Sequence, residues 1–291
     1  MHFTGTIWRP PYEAWSALLQ VTAGCTHHKC KFCTLYDVPF QMSPIEEIEA
    51  DLQEIYVHMP DVIRLFLTGA NPFVLSTEKL KAIANLSRQY LQKLRSIGCF
   101  ARITDISSKT TDDLKLLRTL GYDRITIGVE TGDNNALKFM NKGYNSDDIL
   151  EQCHKLDIAD IRYNFFYLTG ISGSGKSIDS VRETAKIFNQ LNPEIVGASM
   201  LTVYPESELY REILHGNWHE ESETEKLQEM RTLIELLDIP THFAALGASN
   251  FFQLQGTLPR DKANLIHAID SFLEKYDEST LRKYRVNLKH L

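Results

Sequence analysis

The chain is predicted to be an α/β protein built on a parallel sheet, and three features of its 291 residues carry that reading. Six apolar, β-branched runs alternate with stretches of helical periodicity. Each run and its helix take up roughly the 30 residues of a parallel crossover. A composition of 43% apolar and 24% charged residues supplies a sizeable core without any run long enough to span a bilayer.

The elements follow in order. SALLQVT (16–22) is an apolar strand leading into a cysteine-rich loop. SPIEEIEADLQEIYVHM (43–59) then starts a helix, with Ser43 as N-cap and Pro44 in the first turn. The alternation continues with RLFLTGA and TEKLKAIANLSRQYLQKLRS, with CFARITDI and TDDLKLLRTLG, and with RITIGVE followed by helical stretches around NNALKFM and SDDILEQCHKL. RYNFFYLTG and SIDSVRETAKIFNQL come next, and EIVGASML is the sixth strand. Such a series gives a parallel sheet with helices outside, and periodicity leaves open whether the sheet is open and doubly wound or curled into a barrel.

Charge and leader composition narrow the functional classes. The net charge is −7 with no long basic run, so neither a nucleic-acid footprint nor a membrane surface is evident. The start, MHFTGTIWRPPYEAW, lacks the basic flank and apolar stretch of a secretory signal. A cytoplasmic location is therefore expected, and with it no structural disulfides.

Five cysteines are present, and Cys99 and Cys153 stand apart as small residues expected to be buried. The other three, Cys25, Cys30 and Cys33, lie within GCTHHKCKFC (24–33). At that density in a reducing compartment, metal binding or redox chemistry is indicated. A zinc-binding interaction module would need a fourth ligand from His27 or His28 in a cramped loop, since no second Cys or His pair occurs at finger spacing. An iron–sulfur cube normally takes four thiolates. Held by three, it leaves one iron open to chelate the amino and carboxylate groups of a small molecule.

On these residues the sequence resembles the radical S-adenosylmethionine (SAM) superfamily. In that family three cysteines of one loop hold a [4Fe–4S] cluster whose fourth iron chelates SAM. The usual spacing is C-x-x-x-C-x-x-C; this chain has one extra residue in the first gap and keeps the second, with the aromatic Phe32 placed where the family approaches the adenine. The resemblance points to a partial (β/α)6 barrel over residues 1–205, with chemistry at the strands' C-terminal ends. LTGANP (67–72) stands where the family has Gly-Gly-Glu-Pro, so the backbone of Gly69, Ala70 and Asn71 is expected to receive the SAM amino group; without the family it is a glycine turn leaving a strand. GVETGDNNALKFMNKG (128–143) looks like the GVE-SGS…MNKG stretch of the branch that includes the Elongator catalytic subunit, methylthiotransferases and oxygen-independent coproporphyrinogen oxidases. It implies Glu130 near the SAM ribose and Lys142 near the SAM carboxylate. Arg102 is a further cofactor-binding candidate, or it pairs with Asp105.

A rival motif follows the fifth strand. GISGSGKS (170–177) fits the phosphate-loop pattern G-x-x-x-x-G-K-S between a strand and a helix, with Lys176 as the phosphate cation of a nucleotide-binding protein. No later strand ends in the aspartate that would hold magnesium, and that reading leaves the cysteines unexplained. The family resemblance instead makes Gly170 a turn that lets the backbone pass the adenine.

Residues 206–291 form a separate, mainly helical extension expected to cover the barrel, in which the βα alternation stops; SNFF (249–252), with Gln253 and Gln255, is read either as a substrate wall or as a purely structural segment. No cysteine follows Cys153, so a second cluster cannot be built there, and the segment is too small for a cobalamin domain. The resemblance implies a reduced cluster that cleaves SAM to methionine and a 5′-deoxyadenosyl radical, which removes hydrogen from an unidentified substrate. A one-electron donor such as flavodoxin or ferredoxin is implied as partner.

Overall fold

The computed structural model describes residues 1–36 and 38–288. Eight strands run in chain order as β1 (Ala17–Gln20), β2 (Arg64–Thr68), β3 (Ser96–Ala101), β4 (Ile125–Glu130), β5 (Tyr163–Thr169), β6 (Ile195–Met200), β7 (Thr241–Ala245) and β8 (Leu254–Leu258). The chain divides into two compact units.

The first unit contains Met1–His28, Leu35–Gly128 and Gln152–Tyr163. Its strands lie in the order β1, β2, β3, β4, all parallel, with Ala17 opposite Leu65, Leu65 opposite Ile97 and Phe100 opposite Thr126. Both sheet faces are covered, so the strands are almost continuously apolar: Leu65, Phe66, Leu67, Ile97, Ile125 and Ile127 are buried, as is Cys99. Helices α1 (Ile45–His58), α2 (Thr77–Tyr90), α3 (Ile103–Ser107) and α4 (Thr111–Thr119) connect them. Pro44, not Ser43, is the N-cap of α1, because the Ser43 N–H is drawn to Val21 O at 2.9 Å. The Ser76 hydroxyl caps α2, and Thr110 with Asp113 forms a capping box on α4. The sequence reading had no counterpart for a two-residue antiparallel ribbon, Thr22–Ala23 against Gln41–Met42, which closes the base of the cysteine loop.

The second unit contains Lys29–Thr34, Val129–Glu151 and the chain from Asn164 onward. Strands β5, β6 and β7 are parallel, and β8 pairs antiparallel with β7. Helix α5 (Asn134–Phe139) follows β4, and α6 (Ser146–Ile158) passes from this unit's residues to those of the first. The remaining helices are α7 (Ser177–Phe188), α8 (Glu208–Leu214), α9 (Glu223–Leu236), α10 (Lys262–Lys275) and α11 (Glu278–Asn287).

The βα alternation does not stop at residue 205: α9 leads into β7, which joins β6 in register with Ile195 opposite His242. The reason this was hidden lies in α9, which buries Glu223, Lys226 and Glu229 along with Leu227, Met230 and Leu233. Its inward face is partly charged, so the apolar stripe that marks a packed helix is interrupted. The division between the compact units likewise falls elsewhere than at 205. Among the described residues no helix is long and apolar enough to cross a membrane.

Candidate active site

The cysteine loop leaves the first unit at a conformation only glycine accepts easily. Gly24 has φ +69°, and a Cβ there would lie 2.4 Å from Val38 O. Cys25 is half-buried. The next residue is pinned twice by one side chain: the Thr26 N–H donates to Asn71 Oδ1 at 3.3 Å, and Asn71 Nδ2 donates to Thr26 Oγ1 at 2.8 Å and also to the Asp105 carboxylate at 3.1 and 3.2 Å. Asn71 is completely buried, its side chain is spent on this network, and its carbonyl accepts the Val74 N–H at 3.0 Å. Burial pushes the Asp105 carboxyl up, against the hydrogen bonds from the Arg102 main-chain N–H at 2.8 Å and from Asn71. Arg102 and Asp105 therefore meet through the backbone, while the guanidinium donates to Thr104 Oγ1 at 3.0 Å.

Gly69 has φ +126°, and any Cβ would lie 2.2 Å from Thr22 Oγ1 and 2.4 Å from Thr22 O. Its carbonyl accepts from the Tyr36 hydroxyl at 3.4 Å. Ala70 beside it is half-buried. The glycine is thus needed for the close passage of two chain segments at the end of β2.

In the second unit the rest of the loop makes a tight turn, with the Cys33 N–H on Cys30 O at 3.1 Å; Cys30 is half-buried and Cys33 exposed. Phe32 packs on a buried cluster that includes Met140, Leu209 and Trp218. The two charged candidates meet: Lys142 Nζ lies 3.1 Å from Glu130 Oε1, and both residues are buried. The ammonium also stands 5.7 Å from the Phe32 ring centre and 5.5 Å from that of Tyr144. Glu130 is held at φ +66° and Asn141 at +56°, conformations that are costly for residues other than glycine and that gather at functional sites. This unit therefore brings together Phe32, Glu130 and Lys142 beside two of the three cysteines. Among the described residues no set of three His, Cys, Asp or Glu side chains is gathered as a metal site.

Gly170 belongs to different surroundings. It has φ +84°, its N–H donates to Glu229 Oε2 at 2.7 Å, and the space a Cβ would need is filled by the Lys226 side chain at 2.9 Å. Further along GISGSGKS, the Gly175 N–H donates to Glu225 Oε1 at 3.1 Å and the Ser174 N–H to His219 O at 2.9 Å, while Lys176 is exposed. Burial raises the Glu225 carboxyl less than N–H bonds from Ser222 and Gly175 lower it, so it is held below the usual range. Glu229, wholly buried and bonded to the Tyr167 hydroxyl, is pushed well up, first by burial and then by the charge of Glu221. Burial pushes Glu221 up to about 7.

The SNFF stretch is used structurally. Ser249 Oγ accepts the Met200 N–H at 3.3 Å, and Asn250 donates to Ala198 O at 3.0 Å, covering the part of β6 that β7 does not reach. Phe251 and Phe252 stack on Phe272 of α10, and Gln253 and Gln255 are exposed.

Comparison with known proteins places this arrangement in a class. A family model described as the Radical SAM superfamily matches residues 19–188, more than half of the chain, and the chain belongs to that superfamily. The heme chaperone HemW of Bacillus subtilis is 21% identical over 220 residues, covering 72% of this chain and 57% of the relative. HemW of Buchnera aphidicola is 22% identical over 193 residues, covering 62% and 50%. The chain thus spans about half the length of these relatives. Among solved structures, the radical SAM methyltransferase TsrM of Kitasatospora setae, with cobalamin and a [4Fe–4S] cluster bound, matches with a TM-score of 0.56 at 17% identity over 69% of this chain and 39% of its own. The coproporphyrinogen III oxidase HemN of Escherichia coli, a radical SAM enzyme, matches with 0.56 at 17% over 76% and 51%. At these identities the likeness is one of fold, and it bears out the α/β fold of radical SAM type expected from the sequence.

Proposed function

We propose that Cys25, Cys30 and Cys33 hold a [4Fe–4S] cluster, that the chain binds SAM beside it, and that together they start hydrogen abstraction from a substrate. The observation that carries this reading is the donor set: three cysteines in no disulfide, half-buried or exposed, on one loop whose Phe32 ring lies 5.7 Å from Lys142 Nζ. Three thiolates suit a cube with one iron left for a ligand. When bound, the cluster supplies the electron that cleaves SAM to methionine and a 5′-deoxyadenosyl radical.

The chain's own groups do the positioning. Lys142 is the cation for the SAM carboxylate, and Glu130 accepts from the ribose hydroxyls; each is the other's partner until the ligand arrives. Phe32 offers an aromatic face for the adenine, and Gly170 a turn free of side chain on the same ligand's path. Gly69, Ala70 and Asn71 offer main-chain groups to the amino group, with Arg102 as a further polar contact. Residues 206–291 serve as an extension that helps exclude water from the radical. A cytoplasmic one-electron donor such as flavodoxin or ferredoxin reduces the cluster.

Anaerobic reconstitution with iron and sulfide should load about four irons per chain. With dithionite and SAM the loaded protein should release 5′-deoxyadenosine even without its substrate. Stoichiometric zinc with no iron uptake would sink the proposal.

The names of the curated relatives support a second reading, in which the same fold binds heme for delivery. Titration with hemin separates the two: a saturable Soret shift without deoxyadenosine formation favours the chaperone reading, and the reverse favours the enzyme.

A further inference from the structure

Lys31 stands between the second and third cysteines, and every polar group it has is taken by a helix. Its N–H donates to Met140 O, just past α5, at 3.2 Å, and its carbonyl accepts the Leu209 N–H of α8 at 2.7 Å. The Leu209 N–H is one of the first-turn donors that a helix cannot satisfy internally, so the loop carbonyl completes α8 while α8 fixes the loop. The Lys31 ammonium lies 4.4 Å over the Phe139 ring and pairs with Glu212 of α8 at 2.5 Å. Glu212 is itself held by Asn217 Nδ2 at 2.7 Å. Side-chain exposures of 18% for Lys31 and 17% for Glu212 mean that solvent only partly screens the pair. Phe32, the next residue, packs on the cluster to which Leu209 contributes.

From this geometry we infer that α8, in the C-terminal extension, is a clamp for the cluster loop, and that Glu212 is a positioning residue whose charge balances Lys31 beside Cys30 and Cys33. The inference rests on the cluster proposed above. A cluster's reduction potential follows the net charge and hydrogen bonding around it. Glu208 Oε1 of α8 also stands 3.9 Å from the ammonium, so with all three groups in place their net charge is −1. Without Glu212 one negative charge is gone and only the exposed Glu208 still faces the ammonium, which favours the electron-rich, reduced cluster; without Lys31 both carboxylates are unopposed and disfavour it.

The test is a charge cycle on the full chain, reconstituted anaerobically, with the midpoint potential read by redox titration followed by electron paramagnetic resonance. Glu212→Gln should load iron as the parent does and shift the potential upward. Lys31→Met should shift it downward, and the double variant should return near the parent value. A role limited to folding would move both single variants the same way, through lower iron loading, and the double variant further still. Potentials unchanged in both single variants, or shifts of one sign, would overturn the inference while leaving the cluster in place. Failure of the parent chain to take up iron would instead overturn the cluster reading, and this inference with it. If Glu212→Gln does not load, the downward shift of Lys31→Met and its reversal in the double variant still decide.

Discussion

Two loops leave strand ends in this protein with sequence patterns that both suggest a bound ligand, and they differ in where their binding groups are spent. In GISGSGKS, the N–H groups that would cradle a phosphate already donate inward: Gly170 to Glu229, Gly175 to Glu225 and Ser174 to His219 O. The loop holds carboxylates of its own protein where an anion would go, and a phosphate would have to displace Glu225 and lie near two further glutamates. In GCTHHKCKFC the inward bonds come from the residues between the cysteines. Thr26 is tied to Asn71, and Lys31 to Met140, Leu209 and Glu212, while the thiols stay at the half-buried or exposed side. One loop is an internal brace whose pattern matches a binding motif. The other is braced at its spacer residues Thr26 and Lys31.

Three substitutions can break or sharpen that contrast. The largest effect is expected from Cys30→Ala. Loss of one of three thiolates should abolish iron loading and deoxyadenosine formation, a loss beyond the roughly 10–100-fold that removal of an outer partner costs a metal site. Retained cleavage of SAM in this variant would reverse the assignment of the two loops.

Glu221→Gln probes the acidic face behind the glycine turn. Burial raises this carboxyl from 4.5 to about 7 in the folded chain, so its contribution is fully present below the unfolded value and is lost as pH rises through about 7. Between those values the folded state binds more protons than the unfolded one, and stability falls with rising pH. The variant keeps an acceptor for the Ser172 hydroxyl and has nothing to ionise. Denaturant unfolding from pH 5 to pH 8 should therefore show a flatter profile, with the variant gaining on the order of 2 kcal/mol over the parent at pH 8. An unchanged slope would mean that the loop does not rest on a protonated acid.

Lys176→Ala should do least. The ammonium is exposed, and removing it should change stability by less than about 0.5 kcal/mol and leave deoxyadenosine formation at the parent level. ATP or GTP binding in the parent chain that disappears in this variant would restore the phosphate-loop reading.

Much of the fold was legible because the six βα units repeat on a local scale: apolar strands, capped helices and crossover lengths are properties of neighbouring residues. The pairing of Glu130 with Lys142 was also within reach, since both lie in one motif and are twelve residues apart. Strand β7 was not legible, because α9 packs through buried Glu223, Lys226 and Glu229 and so lacks a continuous apolar stripe. The clamp on Lys31 was hidden for a different reason. Its partner Glu212 is 181 residues away on a seven-residue helix whose sequence announces nothing about what its first N–H groups will meet.

By itself the sequence determined the chemistry on offer: three thiols in one loop, a strand–loop–helix rhythm, and glycines where the backbone must turn. Only the tertiary structure decided which loop spends its main-chain N–H groups on carboxylates of its own protein. A main-chain N–H is the same donor in any residue but proline, so no local pattern distinguishes one that will meet a phosphate from one that will meet a glutamate. That choice was made by α9, which carries Glu225 and Glu229 to the GISGSGKS turn from 50 and 59 residues further along the chain.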